Sequence, residues 1–221
     1  MRNFMNKRED FINEIIFIAN ISNIAYFCGK ILLMVSIFDD MSLVTDDEVK
    51  RMLPLVDERR RNEALRYKHL FGQYSCLKSW LMLQELLKPL GINDLECSFN
   101  EHGKPFLKHH PDVHFNLSHC KNGIAVAVDN APIGIDIECY RNIDDALIRK
   151  TMNDNEIALI ESAPDPLETF IAFWTKKEAV LKLRGTGIST DLYQTLDGIG
   201  YRLETHINKE KHYAWSVAYW D

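Results

Sequence analysis

A short segment near the middle of the chain places two carboxylates on one face of an apolar strand. Its sequence is PIGIDIECY, Pro132 to Tyr140, in which isoleucines alternate with Gly134, Asp136 and Glu138. Because side chains along a strand alternate between its faces, Asp136 and Glu138 point the same way, opposite to the isoleucines. Two carboxylates so close repel each other and resist losing their water. The segment is therefore either a strand edge that faces solvent or one side of a site for a divalent cation.

A second group of charged residues lies on a predicted amphipathic helix, LETFIAFWTKKEAVLKLRG, which ends at Gly185. Trp174, Glu178 and Lys182 follow one another at intervals of four residues, so they lie along one stripe. One interpretation is a surface ion pair between Glu178 and Lys182, worth roughly 0.3 kcal/mol. The other adds Glu178 to the two strand carboxylates, because Mg²⁺ prefers carboxylate oxygens, water and substrate phosphates as ligands. Lys182 would then suit a phosphate or a departing oxyanion.

Two further segments carry polar residues next to predicted turns. In FNLSH, Ser118 and His119 end a strand, and in GKP, Lys104 lies in a turn. The chain has no G-x-S-x-G elbow, so adjacency alone does not make Ser118 and His119 a hydrolase dyad. A structural hydrogen bond is the alternative role for His119, and simple exposure is the alternative for Lys104.

Taken in order, GKP, FNLSH, GIDIE and FWTKKEAVLKLRGTG resemble the motif series of the 4′-phosphopantetheinyl transferases, in the larger, monomeric Sfp-type class. The resemblance covers about residues 31–195, with the specific motifs between Gly103 and Gly187. Such enzymes transfer the 4′-phosphopantetheine arm of coenzyme A to a serine of an apo carrier protein and leave adenosine 3′,5′-bisphosphate. The resemblance therefore implies a monomeric holo-acyl-carrier-protein synthase with coenzyme A as co-substrate and an apo acyl or peptidyl carrier protein as partner.

The same resemblance implies roles for individual residues at the reacting end of coenzyme A. Asp136, Glu138 and Glu178 would hold Mg²⁺ against the pyrophosphate. Glu178 would also be the base for the serine hydroxyl, directly or through water, and Lys182 would stabilise the leaving phosphate. Attack on a pyrophosphate needs neutralised charge and in-line positioning more than a strong nucleophile, and this set of groups supplies both.

Other matched positions are implied to bind the nucleotide end. Ser118 and His119 would contact the nucleotide phosphates, and Lys104 would reach the pyrophosphate or 3′-phosphate region. Arg59 stands where the family has a basic residue for the 3′-phosphate, and Ser75 where it often has a small hydroxyl. The implied coenzyme-binding set is Arg59, Ser75, Lys104, Ser118, His119, Asp136, Glu178 and Lys182.

Two segments depart from the family pattern. RKTMNDNE, Arg149 to Glu156, stands where R-F-F-x-x-x-E is frequent, and it lacks the aromatic residues connected with carrier docking. Tyr74 stands beside Ser75 where a basic residue is common, which predicts a looser grip on the 3′-phosphate.

The predicted elements mix helices and strands without strict β-α-β alternation, which indicates the α+β class. A strand is predicted at 31–38, and a helix from Asp57 to about Leu87 with an interruption at Gly72. Hairpins are predicted at the turns EHGKP and CKNG and in the final segment YRLETHINKEKHYAWSVAYW, and one helical segment at NIDDALIRKTMNDNEIALIES. The resemblance implies two similar α/β lobes in a pseudo-twofold arrangement, residues 31–130 and 131–221, with the metal site in the second lobe and coenzyme A in the cleft between them.

Residues 1–30 are predicted to be an extension outside the core, because family members begin with a strand that corresponds here to LLMVSIF. A secretory signal is the alternative, since residues 15–29, IIFIANISNIAYFCG, lack charge. That stretch is too short to span a bilayer, is diluted by Asn20, Ser22 and Asn23, and is not followed by a small-residue cleavage site.

Composition bounds the class of protein. Of 221 residues, 46% are hydrophobic and 26% charged, a balance typical of a folded soluble protein, and the net charge of −6 argues against a nucleic-acid partner. Five scattered cysteines without a C-x-x-C pair argue against a disulfide framework or a zinc knuckle and favour a reducing cytoplasm. No membrane partner is predicted. The basic run Arg59–Arg61 is either a solvated helix face, a phosphate clamp or a surface for an acidic carrier helix.

Two rival functions use similar residues. A metal-dependent nuclease also has an acidic pair followed by E-x-K, but there the Glu and Lys alternate on a strand, whereas here they are four apart on a helix. A non-catalytic protein that binds coenzyme A or a carrier would have the same fold; the loss of a carboxylate or of Lys182 would have favoured it, and none is lost.

Overall fold

The computed structural model describes residues 22–28, 31–187 and 192–221, which form nine strands and six α-helices. The strands are β1 (Ser22–Cys28), β2 (Ile31–Phe38), β3 (Cys97–Phe99), β4 (Pro105–Leu107), β5 (His114–Cys120), β6 (Gly123–Asp129), β7 (Ile133–Cys139), β8 (Tyr201–Asn208) and β9 (Tyr213–Trp220). The helices are α1 (Asp46–Met52), α2 (Glu58–Leu65), α3 (Leu70–Leu87), α4 (Asp145–Thr151), α5 (Asp154–Ser162) and α6 (Pro166–Arg184). The prediction of an α+β fold is confirmed.

Two antiparallel sheets form the framework of the fold. The first has the strand order β1-β2-β6-β5 and the second has the order β7-β9-β8, while β3 and β4 form a separate hairpin. The edge strands β5 and β7 meet, because the Asn116 side chain accepts a hydrogen bond from the Ile135 N–H at 2.8 Å and the Ser118 hydroxyl accepts one from the Ile137 N–H at 3.4 Å. Side chains of one sheet thus satisfy the open backbone edge of the other.

The alternation of side chains along the strands gives each sheet two apolar faces. The inner faces pack against each other through one core cluster, whose members include Val35, Ala125, Ala127, Ile133, Ile135, Ile137 and Val217. Helices α1 to α3 cover the outer face of the first sheet, and α6 covers that of the second. The order of layers is therefore helices, sheet, sheet, helix, with the isoleucines of β7 together on one buried face as predicted.

The helix predicted from Asp57 to about Leu87 is two helices, and the predicted position of its interruption is wrong. The break lies between the end of α2 at Leu65 and the start of α3 at Leu70. Gly72 lies inside the first turn of α3, where a side chain would collide with the Tyr67 ring. The glycine therefore makes room for the aromatic residue of the connecting turn.

The single helical segment predicted after β7 is also divided, into α4 and α5. Asn153 is extended between them and caps α5, since its side chain accepts a hydrogen bond from the Glu156 N–H and the Glu156 side chain accepts one from the Asn153 N–H. This reciprocal capping starts a new helix in a sequence that otherwise has helical propensity.

The predicted hairpins β3–β4, β5–β6 and β8–β9 are all present. Gly103 has φ +81° in the turn between β3 and β4, and Gly185 ends α6 with a left-handed backbone at φ +68°. These are conformations that residues with a Cβ rarely adopt.

At the N-terminal end, β1 pairs with β2 in antiparallel register at the outer edge of the first sheet. The prediction of an extension at residues 1–30 and the alternative of a secretory signal fall largely on residues outside those described. The division into lobes at about residue 130, which falls between β6 and β7, stays a prediction. Within the described ranges no helix has both the length and the apolar character needed to cross a bilayer.

Candidate active site

The site depends on a close crossing of α6 over β7 at Gly134. A Cβ atom at this position would collide with the backbone O of Ala179 and the backbone N of Leu183. Glycine is the residue that lets helix and strand backbones approach this closely. The crossing brings the helix stripe predicted from the sequence onto the carboxylate face of β7.

Asp136 and Lys182 form a partly buried ion pair at this crossing. The Lys182 Nζ lies 2.6 Å from Asp136 Oδ1 and 3.0 Å from the Ser118 Oγ, and the Ser118 hydroxyl donates to Asp136 Oδ1 at 2.8 Å. The Asp136 side chain is 5% exposed, so the interpretation of a solvent-facing strand edge is wrong for this residue. The predicted surface pair between Glu178 and Lys182 is also wrong, because among the ion pairs of the described residues Lys182 contacts Asp136 instead.

Glu138 and Glu178 complete the group of carboxylates. Burial raises the pKa of each carboxyl above its ordinary value, and the negative charge of Asp136 raises both further. The Trp174 indole N–H donates to Glu138 Oε1 at 3.3 Å and so fixes that carboxylate against α6. The three residues are therefore close enough to repel one another, although all three lie in largely buried positions.

Two buried carboxylate oxygens in this group accept no hydrogen bond from any described residue: Asp136 Oδ2 and Glu178 Oε1. A buried acceptor without a partner is costly, and a hard divalent cation prefers this type of oxygen. The donor set predicted for Mg²⁺, which is Asp136, Glu138 and Glu178, thus fits such a cation in chemistry.

A surface cluster elsewhere has its ligand atoms closer together. In the described ranges, the one His/Cys/Asp/Glu group whose ligand atoms all lie within 4.8 Å of one another is Asp94, Glu96 and His109, so the atoms of the predicted metal set are spaced more widely. Glu96 already pairs with the Lys108 ammonium at 2.6 Å and with the His109 Nε2 at 3.1 Å. Glu96 in this exposed cluster is thus already paired with the positive charge of Lys108.

Ser118 and His119 lie on opposite faces of β5, as successive strand residues must. Ser118 belongs to the Asp136 group, whereas the exposed His119 contacts Phe71 of α3 edge-on, with 5.7 Å between ring centroids. Partial loss of hydration lowers the pKa of His119, and the positive charge of Lys182 lowers it further. Ser118 and His119 were both predicted to contact phosphates. In the structure Ser118 lies beside the carboxylate of Asp136, whereas His119 lies beside helix α3.

Lys104 lies apart from the carboxylates. Its Nζ donates to the backbone O of Ile133 at 2.9 Å and to the backbone O of Lys182 at 2.6 Å. Burial lowers the pKa of this ammonium to about 8. Its predicted contact with a phosphate of coenzyme A stays a prediction.

The basic run Arg59–Arg61 does not act as one surface. Arg60 is buried and donates to the backbone O of Cys76, and Arg61 donates to the backbone O of Leu53. Arg59 is the exposed member, with its guanidinium 5.5 Å from the Trp80 ring centroid. A phosphate clamp or a carrier-facing surface built from this run would therefore depend on Arg59.

Ser75 is fully buried on α3, and its hydroxyl has no hydrogen-bond partner among the described residues. Its neighbour Tyr74 is also buried, at 1% exposure, and packs in the core of the first sheet. The predicted role of Ser75 in binding coenzyme A stays a prediction. Tyr74, which stands where the family has a basic residue, belongs to the hydrophobic core.

A cavity of about 450 Å³ lies between α1 and α3. Its lining includes Glu48, Arg51, Tyr74, Lys78 and Leu81. None of the predicted site residues lines it, so this cavity does not coincide with the cleft in which coenzyme A is expected.

Four features of the site and of the helix that carries it were not predicted from the sequence. The side chain of Asn116 on β5 accepts a hydrogen bond from β7, and the Trp174 indole donates one to Glu138. Gly134 leaves room for the close approach of α6, and Lys177 forms a buried ion pair with Glu156. Asn116 lies within the FNLSH segment, and Trp174 and Lys177 lie within the helix motif. Their presence in the motifs was a signal, although their partners could not be read from spacing.

In a comparison with protein families, the model described as "4′-phosphopantetheinyl transferase superfamily" matches residues 132–219. This range contains β7 and α6, and with them Asp136, Glu138, Glu178 and Lys182.

Curated proteins with similar sequences carry the same description. The chain is 31% identical over 150 residues to 4′-phosphopantetheinyl transferase psf-1 of Bacillus pumilus, which covers 66% of this chain and 64% of that protein. It is 30% identical over 150 residues to a 4′-phosphopantetheinyl transferase of Bacillus subtilis, covering 66% and 67%. It is 27% identical over 154 residues to 4′-phosphopantetheinyl transferase Sfp of Bacillus subtilis strain 168, covering 67% and 69%. The chain thus spans about two thirds of the length of these relatives, and slightly less for the first.

Proposed function

Because the chain belongs to the 4′-phosphopantetheinyl transferase superfamily, we propose that it transfers the 4′-phosphopantetheine group of coenzyme A to a serine of an apo acyl or peptidyl carrier protein. The products are the holo-carrier protein and adenosine 3′,5′-bisphosphate. The enzyme acts as a monomer in the cytoplasm, without a nucleic-acid or membrane partner.

One observation in the structure supports this proposal most directly. Asp136 Oδ2 and Glu178 Oε1 are buried acceptors without a hydrogen-bond partner, next to the ammonium of Lys182. Two carboxylate oxygens without partners, next to the Lys182 ammonium, suit a reaction in which negative charge develops on a pyrophosphate. A purely structural ion pair would need neither of the two free oxygens.

Asp136, Glu138 and Glu178 are the residues that would hold Mg²⁺. When bound there, the cation supplies charge neutralisation for the pyrophosphate oxygens. Trp174 keeps Glu138 in place through its indole N–H, and Ser118 orients Asp136 through its hydroxyl.

Glu178 serves as the base for the carrier serine, directly or through water. Burial and the neighbouring Asp136 raise the pKa of its carboxyl, so its carboxylate is a stronger proton acceptor than an exposed one. Lys182 is 28% exposed through its side chain, and its ammonium can therefore also meet a ligand from the open side. There it stabilises the departing phosphate as a point charge.

His119, Arg59, Ser75 and Ser118 make up the proposed nucleotide end of the site, whereas the Lys104 ammonium already bonds to two backbone carbonyls. Burial and the positive charge of Lys182 lower the pKa of His119, and its imidazole contributes a hydrogen bond to a phosphate. Arg59 supplies the exposed positive charge for the 3′-phosphate.

The direct test is intact-mass spectrometry of apo acyl and peptidyl carrier proteins incubated with this protein, coenzyme A and Mg²⁺. The wild type is expected to add the mass of one phosphopantetheine arm to the carrier. Asp136→Asn and Glu178→Gln are expected to abolish this gain, whereas Glu161→Gln, an exposed carboxylate on α5, retains it.

Two other results would contradict parts of the proposal. If several carriers gain no mass while coenzyme A still binds, the chain is a non-catalytic binding protein of the same fold. If the gain persists in both site variants, the reaction does not depend on the buried carboxylates.

A further inference from the structure

We infer that Lys104 is a positioning residue: it fixes the last turn of α6 to the start of β7, and in this way places Lys182 over Asp136. The inference rests on the proposed function, which gives Lys182 its role at the phosphate. It assigns Lys104 an action through the protein backbone instead of a direct contact with coenzyme A.

The first observation is what the Lys104 ammonium contacts. It donates to the backbone O of Lys182 at 2.6 Å and to that of Ile133 at 2.9 Å. Because α6 ends at Arg184, the carbonyl of Lys182 is one of the last four of the helix and has no partner within it. A positive charge at this end of a helix is also favourable to the helix dipole.

The second observation is how firmly the hairpin β3–β4 holds Lys104. Within its turn, Asn100 Oδ1 accepts hydrogen bonds from the N–H groups of His102 and Lys104 at 3.0 and 2.8 Å. The same side chain donates through Nδ2 to the backbone O of Gly185 at 3.2 Å. The turn thus bonds to α6 at two points, through Asn100 and through Lys104.

The third observation is where these bonds lie relative to the site. Ile133 begins β7, and Asp136 follows three positions later in the same strand. Lys182 has its carbonyl on Lys104 and its ammonium on Asp136 at 2.6 Å. Lys104 therefore joins the two elements just beside their crossing, and a loss of its bonds would allow the helix end to move relative to the strand.

The test compares Lys104→Met with Lys108→Met in the full-length protein. Methionine keeps the apolar stem of Lys104 but removes its donors, and Lys108 is an exposed lysine just after β4 that pairs with Glu96. In steady-state transfer assays, Lys104→Met is expected to lower kcat on the order of 10- to 100-fold, since displacing a catalytic group by about 1 Å has this effect. The KM for coenzyme A is expected to stay within about twofold, as when an interaction acts in the transition state only. Lys108→Met keeps wild-type kinetics.

A second measurement does not depend on turnover. In hydrogen exchange followed by mass spectrometry, Lys104→Met is expected to speed exchange in peptides that cover residues 182–187, while peptides from α3 exchange as in the wild type. If wild type transfers nothing to any carrier, the proposed function fails, but this measurement still tests the positioning role.

Two results would overturn the inference. A rise in the KM for coenzyme A with unchanged kcat would make Lys104 a ligand contact. Unchanged exchange at residues 182–187 would show that its two bonds do not hold the helix end. If Lys104→Met yields too little folded protein, Lys104→Gln, which retains an N–H donor, replaces it. The same changes in kcat and in hydrogen exchange are then expected, but smaller.

Discussion

Two kinds of contact stabilise the buried or partly buried ammonium groups of Lys104, Lys177 and Lys182 around α6. Lys182 pairs with Asp136, and Lys177 pairs with Glu156. Lys104 instead donates to two backbone carbonyls, which carry only partial charge. Its charge is therefore the least compensated of the three, and burial lowers its pKa to about 8.

This difference predicts a pH-dependent stability. In the unfolded chain Lys104 has its ordinary pKa of 10.5, so between about pH 8 and pH 10.5 the unfolded state binds a proton that the folded state lacks. Stability contributed by this residue therefore rises with pH across that range. Urea unfolding at several pH values is expected to show the rise for the wild type relative to Lys104→Met. His114, whose own pKa is lowered by burial and by Lys104, titrates at lower pH and leaves this window unaffected.

Residue positions were predictable where they follow from spacing along one element. A period of two placed Asp136 and Glu138 on one face, and a period of four placed Trp174, Glu178 and Lys182 on one stripe. The partners of Lys104 were not predictable, because Ile133 and Lys182 accept through their backbones and lie 29 and 78 positions away in sequence. No side-chain pattern marks a backbone acceptor.

At the scale of elements, the crossing of α6 over β7 decides the geometry of the site. Gly134→Ala is expected to force the two backbones apart, at a cost of about 1–3 kcal/mol or more, which is typical of overpacking. Transfer activity is expected to fall as well, because Glu178 and Lys182 move with the helix. Chemical denaturation and the transfer assay check both results.

Gly91→Ala is a matched control for the glycine substitution. Gly91 has φ +73° and open space around its missing Cβ, so the change adds left-handed backbone strain of about 1 kcal/mol without a collision. Its activity is expected to match the wild type. An equal loss of stability and activity in both variants would contradict the close crossing at Gly134.

The Lys177–Glu156 ion pair joins α6 to the α4–α5 segment. Their charged atoms lie 2.6 Å apart, with the side chains 0% and 7% exposed, and the ammonium also donates to the backbone O of Thr151 and of Leu192. Lys177→Met is expected to destabilise the fold by about 3–5 kcal/mol, because it leaves a buried carboxylate without its cation. Thermal and urea unfolding measure the loss.

A double-mutant cycle isolates this pair from other effects of the substitutions. Lys177→Met with Glu156→Gln is expected to lose less stability than the sum of the single variants. Lys108→Met, which breaks the exposed pair with Glu96, is expected to cost below about 1 kcal/mol. Strict additivity of the two buried substitutions would show that Lys177 and Glu156 do not depend on each other.

Helix boundaries show why element-level prediction was less complete. The sequence between Arg66 and His69 has helical propensity, yet the chain breaks there, and Gly72 inside α3 accommodates Tyr67. Asn153 starts α5 through a capping box that competes with continuing α4. In both places a local side-chain contact outweighs the weak intrinsic preference of the sequence for a continuous helix.

At the scale of the whole molecule, the two sheets share a core and a set of side-chain-to-backbone bonds. Ile133, Ile135 and Ile137 of the second sheet pack against the inner face of the first. Asn116 and Ser118 of β5 satisfy N–H groups of β7. The mixed fold was predictable from the order of elements. The contact between β5 and β7 was not, because the Asn116 and Ser118 side chains that bond to β7 could equally form hydrogen bonds within a turn.

This shared construction predicts that the chain unfolds as one unit. Asn116→Ala is expected to cost about 1–3 kcal/mol, since it leaves the buried Ile135 N–H without an acceptor. Asn122→Ala, which removes exposed bonds to Lys211 and His212, is expected to cost less. Fluorescence and far-UV circular dichroism are expected to report the same single transition for all three proteins. Two separate transitions would mean that the sheets fold independently.

The indole of Trp174 gives the protein an optical reporter of its own. It donates to Glu138 and stacks on Phe170, with 6.4 Å between ring centroids, whereas the other three tryptophans of the chain lie in other elements. Indole emission responds to the electric field of neighbouring charges, so a cation held by Glu138 would change the colour and yield of Trp174 fluorescence. Occupancy of the carboxylate group can therefore be followed by light in the unlabelled protein, before any carrier is added.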